Sequence, residues 1–188
     1  MGQSRASIVS FDDEPLILVD ENDQVLGYDS KVACHRGSGQ LHRAFSVFIF
    51  NRRNELLLQQ RSAAKPLWPL FWSNSCCSHP RRGESNNQSA QRRLREELQV
   101  AARPEFLYQF RYHVPFGDIG SEHELCSVYV ARWDAPIEFN ATEVAACCFL
   151  SPATLDRELA EHPERYTPWL KLEWPRLRNE FWSRVEAL

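Results

Sequence analysis

Residues Trp72 to Val100 constrain this chain more than any other stretch. The polar segment Asn74-Ser75-Cys76-Cys77-Ser78-His79 sets a thiol and an imidazole two residues apart. Pro80 and Gly83 then turn the chain, and neither proline nor glycine recurs before Val100. Ser85 and Gln88 form a capping-box pattern, which starts a helix. On that helix Arg93 and Glu97 share one face, as do Arg92 and Glu96. A glycine turn feeding such a helix can hold a cation on the acids and phosphate oxygens on the arginines. The same pairs equally suit a plain solvated, salt-bridged face. Further ligands therefore have to come from elsewhere in the chain.

Around this stretch the pattern is mixed. Pro15–Val19 and Val25–Tyr28 read as a hairpin across Asp20–Asp23. Asp29-Ser30 can cap a short helix holding Cys34 and His35. From Leu41 to Asn51 the chain alternates, with Arg43, Phe45, Val47 and Ile49 on one face and His42, Ala44, Ser46, Phe48 and Phe50 on the other. Glu55–Arg61 is a further strand, Pro66–Trp72 a packed irregular loop, and Phe106–Pro115 with Glu122–Trp133 a strand pair. Another strand covers Glu143–Leu150. Ser151-Pro152 and Thr167-Pro168 each put proline just after a cap, opening two helices. The second buries Leu170, Trp174, Leu177, Phe181 and Val185, and Pro175 bends it. Strands and helices without regular βαβ alternation predict an α/β chain of the α+β kind, a mixed sheet flanked by helices.

With 188 residues, 43% of them hydrophobic, the simplest organisation is one domain over 1–188, with 1–12 a loose terminus. A formal charge of −3 provides no basic field for nucleic acid. No apolar run spans a bilayer, and the N-terminus lacks a signal-peptide pattern. The six cysteines include no Cys-x-x-Cys, which predicts free thiols in a reducing cytoplasm.

Five separated residues have metal-ligand character: His35, His42, His79, Glu122 and Glu124. Glu122 and Glu124 point to one face of a strand. Three imidazoles and two carboxylates suit Mn, Zn or Fe(II), although scattered histidines and a solvated Glu-x-Glu edge would look the same. Cys77 can be a nucleophile, a base or a core residue, and Cys76 is its rival. Adjacent residues in extended chain face opposite ways, so one can line a site while the other packs inside. A thiolate needs a positive neighbour, which Arg81, Arg82 or a cation could supply. Cys147 and Cys148 read as structural. Arg61, Lys65 and Arg93 are anion binders or surface charge. Trp169 closes a pocket or packs in the core.

Taken in order, six segments resemble a known family. They are His35 with His42-Arg-Ala-Phe-Ser46, Trp68-Pro69, Trp72-Ser-Asn-Ser-Cys-Cys-Ser-His-Pro80, Gly83-Glu-Ser85, Arg92-Arg-Leu-Arg-Glu-Glu-Leu98 and Glu122-His-Glu-Leu-Cys126. Over about residues 14 to 180 they look like the type 1 isopentenyl-diphosphate Δ-isomerases of the Nudix fold superfamily. The resemblance implies a Nudix-type αβα sandwich. Cys77 and Glu124 would be the catalytic groups on opposite faces of an alkene, with Tyr112 assisting Glu124. His35, His42, His79, Glu122 and Glu124 would hold Mn²⁺ or Zn²⁺. Glu97 and the main-chain carbonyl of Cys77 would hold Mg²⁺ with the substrate diphosphate. Arg61, Lys65 and Arg93 would contact that diphosphate, and Trp169 the isoprenyl carbons. The partner implied is a small isoprenyl diphosphate, with no nucleic acid or membrane; the sequence leaves the oligomeric state open, with a monomer the simplest expectation.

The Nudix box is altered. Counted from Gly83, Ser89 stands at its first acid, Arg93 at a later acid and Gln99 at its closing glycine. Fewer acids and an added cation favour keeping a diphosphate intact over hydrolysing it. Two other readings stand beside this one: a Nudix pyrophosphohydrolase, and a metal-stabilised binding module with Cys77 and His79 as structural zinc ligands.

Overall fold

A computed structural model describes residues 7–188. Strand β3 (His42–Phe50) is its axis. Both faces of β3 are apolar, so both must be covered. On one face Phe45, Val47 and Ile49 pack with Leu94 and Leu98 of helix α2 (Asn86–Leu98). On the other, Phe48 and Phe50 join Leu170, Trp174 and Leu177 of helix α4 (Pro168–Glu180). The mixed sheet is thus layered between helices, as the alternation at 41–51 predicts.

β3 runs parallel to β8 (Gly120–Arg132), from His42 opposite Glu124 to Phe50 opposite Arg132. β8 forms an antiparallel hairpin with β7 (Glu105–Phe116), which sets Tyr112 opposite Glu124. The segment Cys76–Ser78, read only as extended polar chain, is strand β6 and pairs antiparallel with β3, Cys77 opposite Ser46. Strands β1 (Pro15–Val19) and β2 (Val25–Ser30) form the expected hairpin at one edge. Strand β4 (Leu56–Arg61) carries β5 (Trp72–Ser73) and β9 (Val144–Leu150). Helix α1 (Lys31–His35) is capped by Ser30, whose side chain accepts from the Ala33 amide at 3.2 Å.

Helix α2 has both hydrogen bonds of its capping box, a device worth about 1 kcal/mol. It ends at Gln99 in the left-handed conformation, φ 53°. A glycine there would be free of the strain of about 1–2 kcal/mol that a side chain carries. Helix α3 (Pro152–Glu161) follows the expected Ser151 cap. Helix α4 continues through Pro175 and ends at Phe181, before helix α5 (Trp182–Glu186). The break between the two helices falls at Phe181, six residues past Pro175.

The expected loose terminus is corrected for residues 7–12; residues 1–6 lie outside the described part. Ser7 O accepts from Asn140 Nδ2 at 2.7 Å and Thr142 Oγ1 at 3.0 Å. Val9 O accepts from Arg93 Nη1 at 2.8 Å. The side chains of Asn140, Thr142 and Arg93 tie this segment down through its carbonyls, which residue type does not reveal. Among the described residues, no helix is long and apolar enough to cross a membrane.

Candidate functional site

The five predicted metal ligands come together. One ligand atom from each of His35, His42, His79, Glu122 and Glu124 lies within 4.8 Å of every other. The three imidazole centroids stand 4.9 to 5.3 Å apart. Their sources are helix α1, the first residue of β3, the residue after β6, and β8. The parallel pairing of β3 with β8 joins residues more than eighty positions apart in sequence.

Their surroundings fit a divalent metal. His35 Nδ1 meets Lys31 O at 2.6 Å and His42 Nδ1 meets Gln40 O at 2.7 Å. Each carbonyl accepts from an Nδ1–H, which turns Nε2 towards the cluster, the usual supporting arrangement for a ligand histidine. His42 Nε2 is buried without a hydrogen-bond partner, a costly state that a metal bond would relieve. Burial first, then its histidine neighbours, pushes His42 down to about 4 and His79 well below the ordinary imidazole value. Both rings are thus neutral, as ligation requires. Glu124 Oε1 lies 3.2 Å from His79 Nε2, and its Oε2 accepts from Tyr112 OH at 2.7 Å. Burial and the neighbouring Glu122 push Glu124 well above the usual carboxylate range.

Gly120 protects this geometry. A Cβ there would sit 2.4 Å from His35 O, so Gly120→Ala must displace the end of helix α1 that carries His35. We expect metal affinity to fall by about tenfold or more, measured as metal retained after dialysis against a competing chelator.

Cys77, Tyr112, Glu122, Glu124 and Trp169 line one cavity of about 400 Å³ with Arg61, Lys65 and Arg93. That volume suits a small ligand. Cys76 is fully buried among Phe45, Val47 and Leu94, so the two thiols divide between core and cavity as their alternation predicts. Cys77 Sγ donates to Asn74 Oδ1 at 2.8 Å and lies 3.4 Å from Ser46 Oγ. Burial, then the Glu173 carboxyl, raises this thiol above its ordinary value. The two arginines considered for Cys77 are engaged elsewhere: Arg81 pairs with Glu14 and Arg82 lies over Tyr28. His79 joins the metal cluster while Cys77 does not, which parts the two residues that a structural zinc site would unite.

The cationic residues are less free than expected. Arg61 donates to Leu67 O at 2.9 Å and Trp68 O at 3.1 Å, with its guanidinium 5.2 Å from the Trp169 ring centroid. Lys65 is bound to Glu143. Arg93 is buried and bridges Glu97 at 2.6 Å and Glu143 at 3.1 Å. Glu97 is thus held by Arg93 and lies outside the five-residue cluster. Arg93→Ala would strand the buried Glu97 carboxylate and leave Glu143 to Lys65 alone, and we expect about 3–5 kcal/mol of lost stability in denaturant melts. Trp169 is buried against Trp68 and donates its indole N–H to Ser73 Oγ at 2.9 Å. It is both a core aromatic and a cavity wall.

The box count is also corrected. Counting back from Arg92 by the box's own spacing puts Glu84, not Ser89, at the first acid. Glu84 holds Arg92 at 2.7 and 2.8 Å. Ser89 is a helix-interior residue donating to Asn86 O at 2.9 Å. The substitution at Arg93 stands.

Sequence reasoning misses three groups, the half-buried Lys31 and the buried Glu143 and Glu173. Lys31 and Glu143 line the cavity beside Arg93. A lysine at a helix start carries no mark of burial; here burial, then Lys65, lowers it to about 8. Glu173 sits on the apolar face of α4, four residues past Trp169, where only helical spacing could have flagged it. Burial pushes Glu173 from 4.5 up to about 8. Across that window the folded protein keeps a proton that the unfolded chain has released, so stability is lost as pH rises towards 8. Glu173→Gln removes the dependence. Its melting temperature relative to wild type should rise steadily between about pH 5 and pH 8.

A NUDIX domain matches residues 40–170. The chain is 44% identical over 171 residues to isopentenyl-diphosphate Delta-isomerase 1 of Photorhabdus laumondii, covering 89% of this chain and 97% of that one. It is 42% identical over 157 residues to the isopentenyl-diphosphate Delta-isomerase of Nocardia farcinica, covering 83% and 90%. A crystal structure of a Deinococcus radiodurans protein superposes with a TM-score of 0.72 at 27% identity, covering 87% of this chain and 98% of that one.

Proposed function

The chain belongs to the isopentenyl-diphosphate Δ-isomerase family, on the Nudix fold, and from that premise we propose how it interconverts isopentenyl and dimethylallyl diphosphate. The observation that carries the reading is one shared cavity. It joins a half-buried thiol, a buried Tyr112–Glu124 pair, an aromatic wall and a set of cations.

The substrate's double bond is unactivated. Moving it requires a proton to add at the terminal carbon, giving a tertiary carbocation, and another to leave the carbon on the opposite side. Nothing is oxidised and no bond to phosphate breaks. We assign the two proton-transfer roles to Cys77 and Glu124. Tyr112, 2.7 Å from Glu124, orients that carboxyl and passes it a proton. The Trp169 ring faces the developing cation, a contact worth about 2 kcal/mol when desolvated, or roughly thirtyfold in rate if gained only in the transition state. The enclosed cavity keeps water from capturing the cation. Arg61, Lys65 and Arg93 hold the diphosphate, with Glu143 yielding Lys65 as the anion arrives.

The five His and Glu residues would hold Mn²⁺ or Zn²⁺, which when bound tunes the acidity of Glu124. Glu97 and the main-chain carbonyl of Cys77 would hold a Mg²⁺ ion, which would supply positive charge against the diphosphate. The enzyme works in a reducing cytoplasm, a reading supported by its six free thiols.

The test is proton NMR of isopentenyl diphosphate in D₂O with purified protein, Mg²⁺ and Mn²⁺ or Zn²⁺. Growth of dimethylallyl methyl signals with deuterium uptake and no free phosphate is the expected result. Phosphate release with the alkene unmoved would overturn it in favour of hydrolysis.

A further inference from the structure

Two of the cations assigned to the diphosphate already hold an anion. Glu143 Oε2 takes both Lys65 Nζ and Arg93 Nη2, the latter at 3.1 Å. Arg93 Nη2 also lies 2.6 Å from Glu97 Oε1. Two cations thus face two carboxylates, and their charges cancel. Arg61 is held by carbonyls instead, those of Leu67 and Trp68. A carboxylate is the least expected side chain on the wall of an anion site. Glu143 is nonetheless buried and lines the cavity with Lys65, Arg93 and Arg61.

Charge pairing alone does not call for this carboxylate. Arg93, the buried cation, has Glu97 and the Val9 carbonyl as partners without it. Lys65 is only half-buried, where water can solvate an ammonium. The main chain fixes Glu143 in place. Its amide donates to Asn140 O at 3.0 Å, its carbonyl accepts from the Ser62 amide at 2.9 Å, and Val144 beside it is core. The carboxylate can swing but cannot leave. An anion reaching Lys65 and Arg93 must therefore break both contacts and then stay near a like charge. Charge-assisted hydrogen bonds are the strong kind, and the same cost falls on every anion. Orthophosphate has one phosphorus with which to offset it. Diphosphate has two, so it can hold Arg61 as well and keep affinity to spare.

We propose that Glu143 is a resident anion that sets the threshold of the diphosphate site: it occupies Lys65 and Arg93, diphosphate displaces it, and orthophosphate does not. The inference rests on the isomerase reading above, which assigns those cations to the diphosphate and needs Glu143 to let go. It adds what the carboxylate does while no substrate is bound, which is to keep a cation-lined cavity clear of single-phosphorus anions. Substrate and product carry the same diphosphate, so both are weakened alike, and the product leaves as Glu143 returns to its cations.

The experiment measures calorimetric binding of inorganic orthophosphate and inorganic pyrophosphate to the metal-loaded full chain. It compares wild type, E143Q, K65M and K65M/E143Q, with melting temperatures and KM for isopentenyl diphosphate recorded for each. Wild type should bind pyrophosphate well and orthophosphate poorly. E143Q keeps the shape and an acceptor oxygen but removes the charge. Its affinity for both anions should rise about tenfold or more, the effect of charged hydrogen bonds that no longer compete. KM should fall with them, as expected for binding shared by ground and transition states. In the K65M background one of the two competing contacts is already gone, so the gain from E143Q should shrink. Unchanged anion affinity in E143Q overturns the proposal. So does a gain that persists in full without Lys65, which would make Glu143 a distant repulsive charge. Wild type that binds orthophosphate as tightly as pyrophosphate overturns it too, whether or not the variants fold. Wild type that does not isomerise at all would instead sink the functional reading and leave the anion measurements standing.

Discussion

Cys77→Ala is expected to bring isomerisation close to background, a fall in kcat of about 10²–10⁴-fold, the usual contribution of a positioned acid or base. The fold should survive. Cys77 is half-buried at the cavity wall and its contacts run to Asn74 and Ser46. Cys76→Ala should behave in the opposite way. Cys76 is fully enclosed by the core beneath α2, so its loss leaves a small cavity and costs about 1 kcal/mol or more of stability. Turnover should persist. Two measurements separate the thiols: NMR initial rates and thermal melts on both variants. Activity lost in the Cys76 variant and kept in the Cys77 variant would mean that the roles belong the other way round.

That contrast is legible in the sequence because strand alternation is local. Once Cys76-Cys77 is taken as extended, one must face in and one out, and the Leu41–Asn51 pattern likewise sets both faces of β3. The metal residues are legible by type and by resemblance, while their meeting is not. His42 reaches Glu124 only through parallel pairing between distant strands, and no local signal encodes such a partner. Three kinds of residue escape a reading of the chain. Ser46 looks like an ordinary polar residue in an alternating strand. Glu173 reads as a helix former, although it lies on the same face as Leu170, Trp174 and Leu177. Residues 7–12 hold their place through main-chain carbonyls, to which sequence is blind. Arg93 shows the converse. Its charge is plain in the sequence, but the burial that binds it to Glu97 and Glu143 is not, and that burial makes it structural as well as cavity-facing.

Glu124→Gln should remove isomerisation and weaken metal retention together, because one side chain stands in both sites. Glu124 Oε1 faces His79 while Oε2 takes the Tyr112 hydroxyl proton. The amide keeps the shape of the carboxylate but cannot gain or lose a proton, and one of its two ends becomes a donor where an acceptor is needed. If that end faces His79, a metal ligand is lost; if it faces Tyr112, two donors collide. Glu122→Gln provides the comparison. Glu122 Oε2 lies 2.8 Å from His35 Nε2, so this variant also loses a metal ligand but leaves Tyr112 and Glu124 together. Its activity should recover when Mn²⁺ or Zn²⁺ is added to saturation. Glu124→Gln should stay inactive, by about 10²-fold or more, however much metal is supplied. Metal analysis after dialysis, paired with rates at saturating metal, reads the two effects separately. Full recovery of Glu124→Gln under those conditions would reduce Glu124 to a ligand and leave Tyr112 or Cys77 to move the proton.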